Sequence, residues 1–360
     1  MSSPPLPGAH RLGDFSAYRS HEAPRSDATG TEWDLSNNEL TLPPLPEVAA
    51  AVRVCGLDPN RYPAPLPHLL VERLAKQFGV ARTQIVVGPG SAGVLQQLLL
   101  VLCTERDEVL YAWPAFDAYP LLIAVAGATG VRVPLTATGA HDLSGFLARV
   151  TPRTRVVILC TPHNPTGRRI SRDELRWFLN ELPPQVVTIV DQAYVEFDEL
   201  DENDDLDLVH QRSRAVLLRT FSKAYGLAGL RVGYALADSE ISETARKATL
   251  PFAVTRAAEA AAVASLDQET VMKERIAMVR RLRTELGESL GDLGLACPPS
   301  HGNFLWLPLG RSATGFGESV ARDGIKVRVY PDHGVRISVG SRAAHRRLLA
   351  AARGTGPAAG

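Results

Sequence analysis

Four short stretches of this 360-residue chain carry side chains whose types and spacing could do chemistry. In Arg219-Thr220-Phe221-Ser222-Lys223-Ala224-Tyr225-Gly226-Leu227-Ala228-Gly229-Leu230-Arg231-Val232-Gly233, a lysine sits among hydroxyl-bearing and small residues, and an arginine follows in an otherwise apolar segment. A buried lysine has a lowered pKa and can condense with an aldehyde; an exposed loop lysine with Arg231 reaching to water is the competing reading. Gly88-Pro89-Gly90-Ser91-Ala92-Gly93 is a literal G-x-G-x-x-G ahead of a helical pattern. Amides at a helix N-terminus, approached closely through glycine, favour an anion. A plain tight turn, a dinucleotide loop with Asp107 or Glu108 as its acidic residue, and another phosphate all remain open at this point. Thr161-Pro162-His163-Asn164-Pro165-Thr166-Gly167 and Asp191-Gln192-Ala193-Tyr194 complete the set. Each has a plain alternative, a proline-rich turn for the first and an N-cap aspartate for the second. His163 reads as a turn residue, whereas an aspartate at a buried strand end must be paired to stay ionised.

These stretches act together only if strands deliver them to one place. Apolar runs at 85–87, 108–111, 155–159, 186–190 and 215–218, many of them β-branched, alternate with helical patterns at 66–78, 95–102 and 171–182. The last helix opens on Ser171 and Glu174, an S-x-x-E capping box. Continuous aliphatic strands of this kind suit a parallel sheet covered by helices on both faces, and loops at the carboxyl ends of such strands share one crevice. The middle of the chain is therefore expected to be a doubly wound α/β domain. Residues 241–295 read as mostly helix-forming, with an apolar stripe of Leu266, Val271, Ile276, Val279 and Leu282, long enough to link two domains. Strands near 303–307, 325–329 and 335–339 then suggest a smaller α+β domain, and the first thirty residues read as an arm.

Composition narrows the partners. With 39 Lys plus Arg against 39 Asp plus Glu, the formal charge is zero, which argues against a phosphate-backbone binder. No run approaches the ~18 apolar residues of a membrane span, and residues 1–13 lack the apolar core of a secretory signal, so a cytoplasmic protein is expected. Cys55, Cys103, Cys160 and Cys297 are widely spaced and form no CxxC pair, so they read as small buried hydrophobes. The acidic run 198–207 lacks the central glycine and final glutamate of a calcium loop and reads as a solvated surface loop; no metal site is expected.

In these motifs, and from Leu35-Ser36-Asn37-Asn38-Glu39 to Gly334-Val335-Arg336-Ile337-Ser338-Val339-Gly340, the chain resembles the fold-type-I pyridoxal-phosphate aminotransferases, and most closely their histidinol-phosphate aminotransferase branch. The resemblance implies an aspartate-aminotransferase-like fold: a large domain with a mostly parallel seven-stranded sheet between helices, plus a small α+β domain. It implies an N-terminal arm and segment (1–50) packing with the small domain, a large cofactor-binding domain (51–255) and a small C-terminal domain (256–360). It also implies that Lys223 forms an imine with pyridoxal 5′-phosphate and then moves the proton between the substrate Cα and C4′ of the cofactor. By the same resemblance Asp191 holds the pyridine nitrogen protonated, so that the ring is an electron sink. Asn164 and Tyr194 would bond the phenolic oxygen, Phe116 would stack on the ring, and the Ser91 and Ala92 amides with Thr220, Ser222 and Arg231 would bind the phosphate. Tyr62 of Asn60-Arg61-Tyr62-Pro63 would reach the phosphate of a neighbouring subunit, which implies a homodimer.

On the substrate side, Arg336 matches the arginine that clamps a carboxylate or phosphate. Arg328 falls at a second anion-binding position, a surface strand arginine being the alternative, and Tyr18 would help close the site. The expected reaction moves an amino group from an amino acid or phosphorylated amino compound to a keto acid or phosphorylated acceptor. Pro89, Ala92, Gly93 and Ala253 depart from the usual residues of that branch and leave the substrate open. A decarboxylase or an oxidase using the same cofactor is the alternative reaction. An NAD-dependent dehydrogenase built on the G-x-G-x-x-G is the alternative from another class, and it leaves Lys223, Asn164 and Asp191 without a role. A sensor that keeps the fold only to bind a ligand is argued against by an intact Lys223 and Asp191.

Overall fold

The computed structural model describes residues 33–199, 206–211 and 214–353. In chain order its strands are β1 (Asp34–Leu35), β2 (Ile85–Gly88), β3 (Glu108–Trp113), β4 (Thr129–Pro134), β5 (Thr154–Cys160), β6 (Val187–Asp191), β7 (Ala215–Thr220), β8 (Gly233–Leu236), β9 (Phe304–Leu307), β10 (Lys326–Tyr330) and β11 (Gly334–Ser338). Its helices are α1 (Pro46–Cys55), α2 (His68–Phe78), α3 (Gly90–Leu102), α4 (Tyr119–Val125), α5 (Leu143–Leu147), α6 (Arg172–Glu181), α7 (Leu206–Gln211), α8 (Ser239–Lys247), α9 (Arg256–Leu266), α10 (Glu269–Gly291), α11 (Ala313–Arg322) and α12 (Arg342–Ala352).

Seven strands form one sheet in the order β2-β8-β7-β6-β5-β3-β4. It is parallel except at β8, which runs against both of its neighbours. Side chains of a strand alternate between faces, and both faces here are dry. Val157 and Leu159 of β5 join one core with α2, α6 and α9, while Val156 and Ile158 join the other with α3 and α8. That double burial is why the strands carry unbroken aliphatic runs. The expected parallel sheet between helices is present. The second sheet, β1-β10-β11-β9, covers its own core with α11, α12 and the end of α10.

The capping box forms as expected: the Glu174 amide donates to Ser171 Oγ at 3.3 Å, and the Ser171 amide donates to Glu174 Oε2 at 2.8 Å. Three expectations need correction. The helical region 241–295 is three helices, interrupted at the loop holding Pro251, because proline cannot continue a helix and its predecessor avoids helical backbone. A second break at Asp267 and Gln268 ends α9 at Leu266, and α9 packs on α1 and α2 in the large core. α10 links the cores, with Met272 in the large-sheet core, Ile276, Val279 and Leu282 packed among Tyr194, Phe197 and Phe304, and Leu286 and Leu290 in the small-sheet core; Val271 is exposed. Second, the acidic run does not begin in water. Asp198 is buried between Arg169 and His301, and Asp207, in α7, pairs with Arg172.

Third, the sheet order removes the dinucleotide reading. A dinucleotide loop would join neighbouring parallel strands of a βαβ unit. Here β2 is an edge strand whose neighbour is antiparallel, and β3 lies beyond β8, β7, β6 and β5. The candidate acidic residues are occupied in place, Asp107 by Thr104 and Arg155, Glu108 by Thr151 and Arg153.

Candidate active site

The carboxyl ends of β5, β6 and β7 lie side by side, with Cys160 paired to Asp191 and Asp191 to Leu218 in the register. The loops leaving these tips carry Asn164, Tyr194, and Thr220 to Lys223. They line one cavity of about 360 Å³ with Asn37, Glu39, Ser91, Ala92, Phe116, Asp117, Arg231, Arg328 and Arg336. The structure thus brings together, around one space, every expected site residue except Tyr62 and Tyr18. Tyr62 is 81% exposed and stacks on Phe252 at a centroid distance of 4.9 Å. Tyr18 lies outside the described residues. His163 is buried in the turn after β5, its Nε2 2.9 Å from the Pro114 carbonyl oxygen, and does not line the cavity.

One end of the cavity is a cradle for an anion. Helix α3 begins there with Gly90, Ser91 and Ala92, so unpaired amides face the space. Gly233 in β8 lies so close that a Cβ on it would strike the Ser91 nitrogen, and a Cβ on Gly90 would run into the Arg231 guanidinium. Opposite, Ser222 Oγ accepts from Thr220 Oγ1 at 3.0 Å and from Arg231 Nη1 at 3.2 Å, and Arg231 also donates to the Ala228 carbonyl at 2.9 Å. Arg231 has φ 55°, a left-handed conformation that costs a side-chain-bearing residue on the order of 1 kcal/mol. Its backbone is held there by the turn into β8, which aims the guanidinium at the amides of α3.

Asp191, at the tip of β6, is buried and lines the same cavity. Its Oδ2 accepts from the Tyr119 hydroxyl at 2.5 Å and its Oδ1 from the Ala193 amide at 3.1 Å. Burial pushes its pKa up, against the pull of those two bonds and of Lys223. A buried carboxylate of this kind favours a cationic N–H placed against it. Lys223 Nζ donates to the Asn37 carbonyl at 2.9 Å. Desolvation first, then the nearby Arg336 and Arg231 charges, push its pKa down to about 7, against Glu39 and Asp191. The Tyr194 hydroxyl accepts from Asn38 Nδ2 at 3.0 Å, and Phe116 meets Tyr119 edge-on at 5.4 Å.

Arg336 is buried on β11, where its Nη1 donates to Asn164 Oδ1 at 2.5 Å and its Nη2 to the Ser36 carbonyl. Arg328, directly across the ladder on β10, pairs with Asp117. It is not the solvent-facing strand arginine of the alternative reading. Sequence reasoning gave no site role to Tyr119, Asp117, Cys160 or the strap 36–39. Tyr119 and Asp117 stood inside the Pro114-Ala115-Phe116-Asp117-Ala118-Tyr119 stretch beside the stacking candidate. The strap offered no local signal, because Asn38 is placed by Ser338 and Asn303 far along the chain.

The residues present fit pyridoxal 5′-phosphate. The glycine-cleared cradle suits its phosphate, the buried Asp191 suits a protonated ring nitrogen, and an amine of depressed pKa lines the same cavity. Residues 31–351 match the family model of the class I and II aminotransferases. The chain is 43% identical over 321 residues to an aromatic amino acid aminotransferase of Rhodococcus opacus, covering 89% of each chain. It is 40% identical over 327 residues to one of Streptomyces avermitilis, covering 91% of each. Its fold is similar to the histidinol-phosphate aminotransferase of Sinorhizobium meliloti solved with pyridoxal-5′-phosphate, with a TM-score of 0.84, 29% identity and 90% of each chain covered. With a match that runs nearly end to end and a cavity suited to the family's cofactor, the chain belongs to the class I and II aminotransferases, pyridoxal-phosphate enzymes of fold type I.

Proposed function

We propose that this aminotransferase takes its amino group from an amino acid with an aromatic side chain and passes it to a keto acid, working as a cytoplasmic homodimer. The observation that carries the reading is the gathering of Lys223, Asp191, Arg231 and Arg336 around one cavity, in a chain whose curated relatives bear the name aromatic amino acid aminotransferase. When bound, pyridoxal 5′-phosphate supplies an aldehyde for the amine and a ring that accepts the electron pair left at Cα. Arg231, the Thr220 and Ser222 hydroxyls and the α3 amides hold its phosphate. Asp191, oriented by Tyr119 and Ala193, keeps a proton on the ring nitrogen. Asn164 and Tyr194 would bond its phenolic oxygen, and Phe116 would pack against the ring.

Arg336 takes the substrate α-carboxylate through its planar fork. Lys223, whose depressed pKa leaves much of the amine neutral near pH 7, takes the proton from Cα and returns it to C4′ of the cofactor. Tyr62 reaches the site of a second subunit. Phe252 packs against Tyr62, and with the exposed Leu57 and Leu250, near the two in the chain, it supplies apolar surface for that contact. Among the described residues no helix is long and apolar enough to cross a membrane.

A second reading, histidinol phosphate as the amino donor, is favoured by Arg328 on the cavity wall and by the likeness to the S. meliloti enzyme. The test is to mix the cofactor-loaded protein with L-phenylalanine, L-tyrosine, histidinol phosphate and L-glutamate in separate single turnovers, with products followed by mass spectrometry. Formation of the aromatic keto acid with pyridoxamine phosphate supports the proposal. Turnover of histidinol phosphate alone supports the second reading, and carbon dioxide release refutes both in favour of a decarboxylase. The Lys223→Ala protein is expected to lack the borohydride-sensitive visible absorbance of the loaded wild type.

A further inference from the structure

Two arginines face the cavity from adjacent strands, and they are compensated differently. Arg328 and Arg336 are direct partners across the β10–β11 ladder, where like charges repel, so each needs its own counterpart. Arg336 has neutral ones, the Asn164 amide oxygen and the Ser36 carbonyl, and its positive charge remains for a ligand. Arg328 instead makes an ion pair with Asp117, whose side chain reaches it from the loop ahead of α4. The two side chains are only 13% and 27% exposed, so water and salt screen the pair less than they would on an open surface.

We propose that Asp117 sets the substrate class of this site: by holding Arg328 in an ion pair, it withdraws the second arginine of the β10–β11 ladder from the distal end of the substrate. Amino acids with uncharged side chains are thereby favoured over substrates with a second anion. The inference rests on the aminotransferase reading with Arg336 as the carboxylate clamp. A dicarboxylate or a phosphate monoester must displace Asp117 from Arg328 to reach that guanidinium, and this costs affinity. An aromatic side chain does not meet that penalty.

The experiment uses the cofactor-loaded protein and two carboxylates that lack an amine and cannot react, glutarate and 3-phenylpropionate, with binding read by calorimetry. The probes share one carboxylate and differ at the other end. In Asp117→Asn, the ratio of the two dissociation constants is expected to move toward glutarate by about tenfold or more, the size of one charge-assisted contact. Asp117→Ala repeats the measurement with no side-chain acceptor left for Arg328. Adding Arg328→Gln to either variant is expected to remove the gain, which isolates the pairwise term. A ratio within about twofold of wild type overturns the proposal, because coupled neighbours should exceed that. A gain that survives Arg328→Gln also overturns it, since the effect would then come from removing the Asp117 charge and not from releasing Arg328. Failure of the wild type to transfer the amino group of L-phenylalanine would refute the functional reading instead, and the binding ratio would still decide this one.

Discussion

The depressed pKa of Lys223 can be tested through stability alone, without turnover. In the cofactor-free protein the amine titrates at about 7 against an ordinary value of 10.5. Between those values the unfolded chain carries a proton that the folded chain has released, so the stability of the fold rises with pH across that window. At about 1.4 kcal/mol per pKa unit the whole shift corresponds to ~5 kcal/mol. That figure is an upper bound, because Lys223 is half-buried and its Nζ faces an open cavity, and solvent screening brings the expected effect to ~2 kcal/mol. Lys223→Met keeps the stem and removes the titration. The apo variant should therefore be more stable than apo wild type by ~2 kcal/mol at pH 7, with the gap closing as pH approaches about 10. Urea denaturation of both proteins at several pH values gives the difference, in which titrations common to the two cancel. A gap that stays constant from pH 7 to pH 10, or one that widens, would refute the reasoning, since the amine would then titrate as an ordinary lysine.

Tyr119→Phe removes the donor to Asp191 Oδ2 and should weaken cofactor affinity by ~1.5–3 kcal/mol, the range for a bond to a charged group; equilibrium titration of the apoprotein with cofactor measures this, and an unchanged affinity would show that Tyr119 is only packing. Gly90→Ala places a Cβ against the Arg231 guanidinium at a residue with φ 78°, so it should lower both cofactor affinity and thermal stability, the latter by ~1–3 kcal/mol. Replacing Leu57 and Leu250, 79% and 71% exposed, by aspartate should shift the sedimenting species from dimer to monomer, while a monomeric wild type would remove the proposed role of Tyr62.

The features legible in the sequence were those decided locally. β5, β6 and β7 could be read because their residues face dry cores on both sides and so carry unbroken aliphatic runs. Each motif that follows them is a few residues of strand tip and loop, which fixes where Asn164, Asp191 and Lys223 must emerge. β4 could not be read, because it is an edge strand with one buried residue, Val133, and a glycine and a proline among its six. β8 is four residues long and continues a glycine-rich loop, so its run looked like the tail of the Lys223 segment.

What escaped reading within the site depends on contacts between distant parts of the chain. Ser36 accepts from Arg336 across 300 positions, Asp117 meets Arg328 across 211, and Tyr119 meets Asp191 across 72. No periodicity or spacing encodes such pairs, since each arises only when the small sheet docks against the strand tips or one crossover helix lies beside the next strand. The division has a chemical consequence. The residues suited to the cofactor's aldehyde, ring and phosphate lie in sequence-local motifs of the large sheet, whereas the groups proposed to grade the substrate, Arg328, Arg336 and Asp117, are brought together only by docking between β10, β11 and the loop before α4. Family membership therefore follows from the motifs, whereas the proposed control of substrate choice rests on one long-range ion pair, Arg328 with Asp117, that a single substitution can remove.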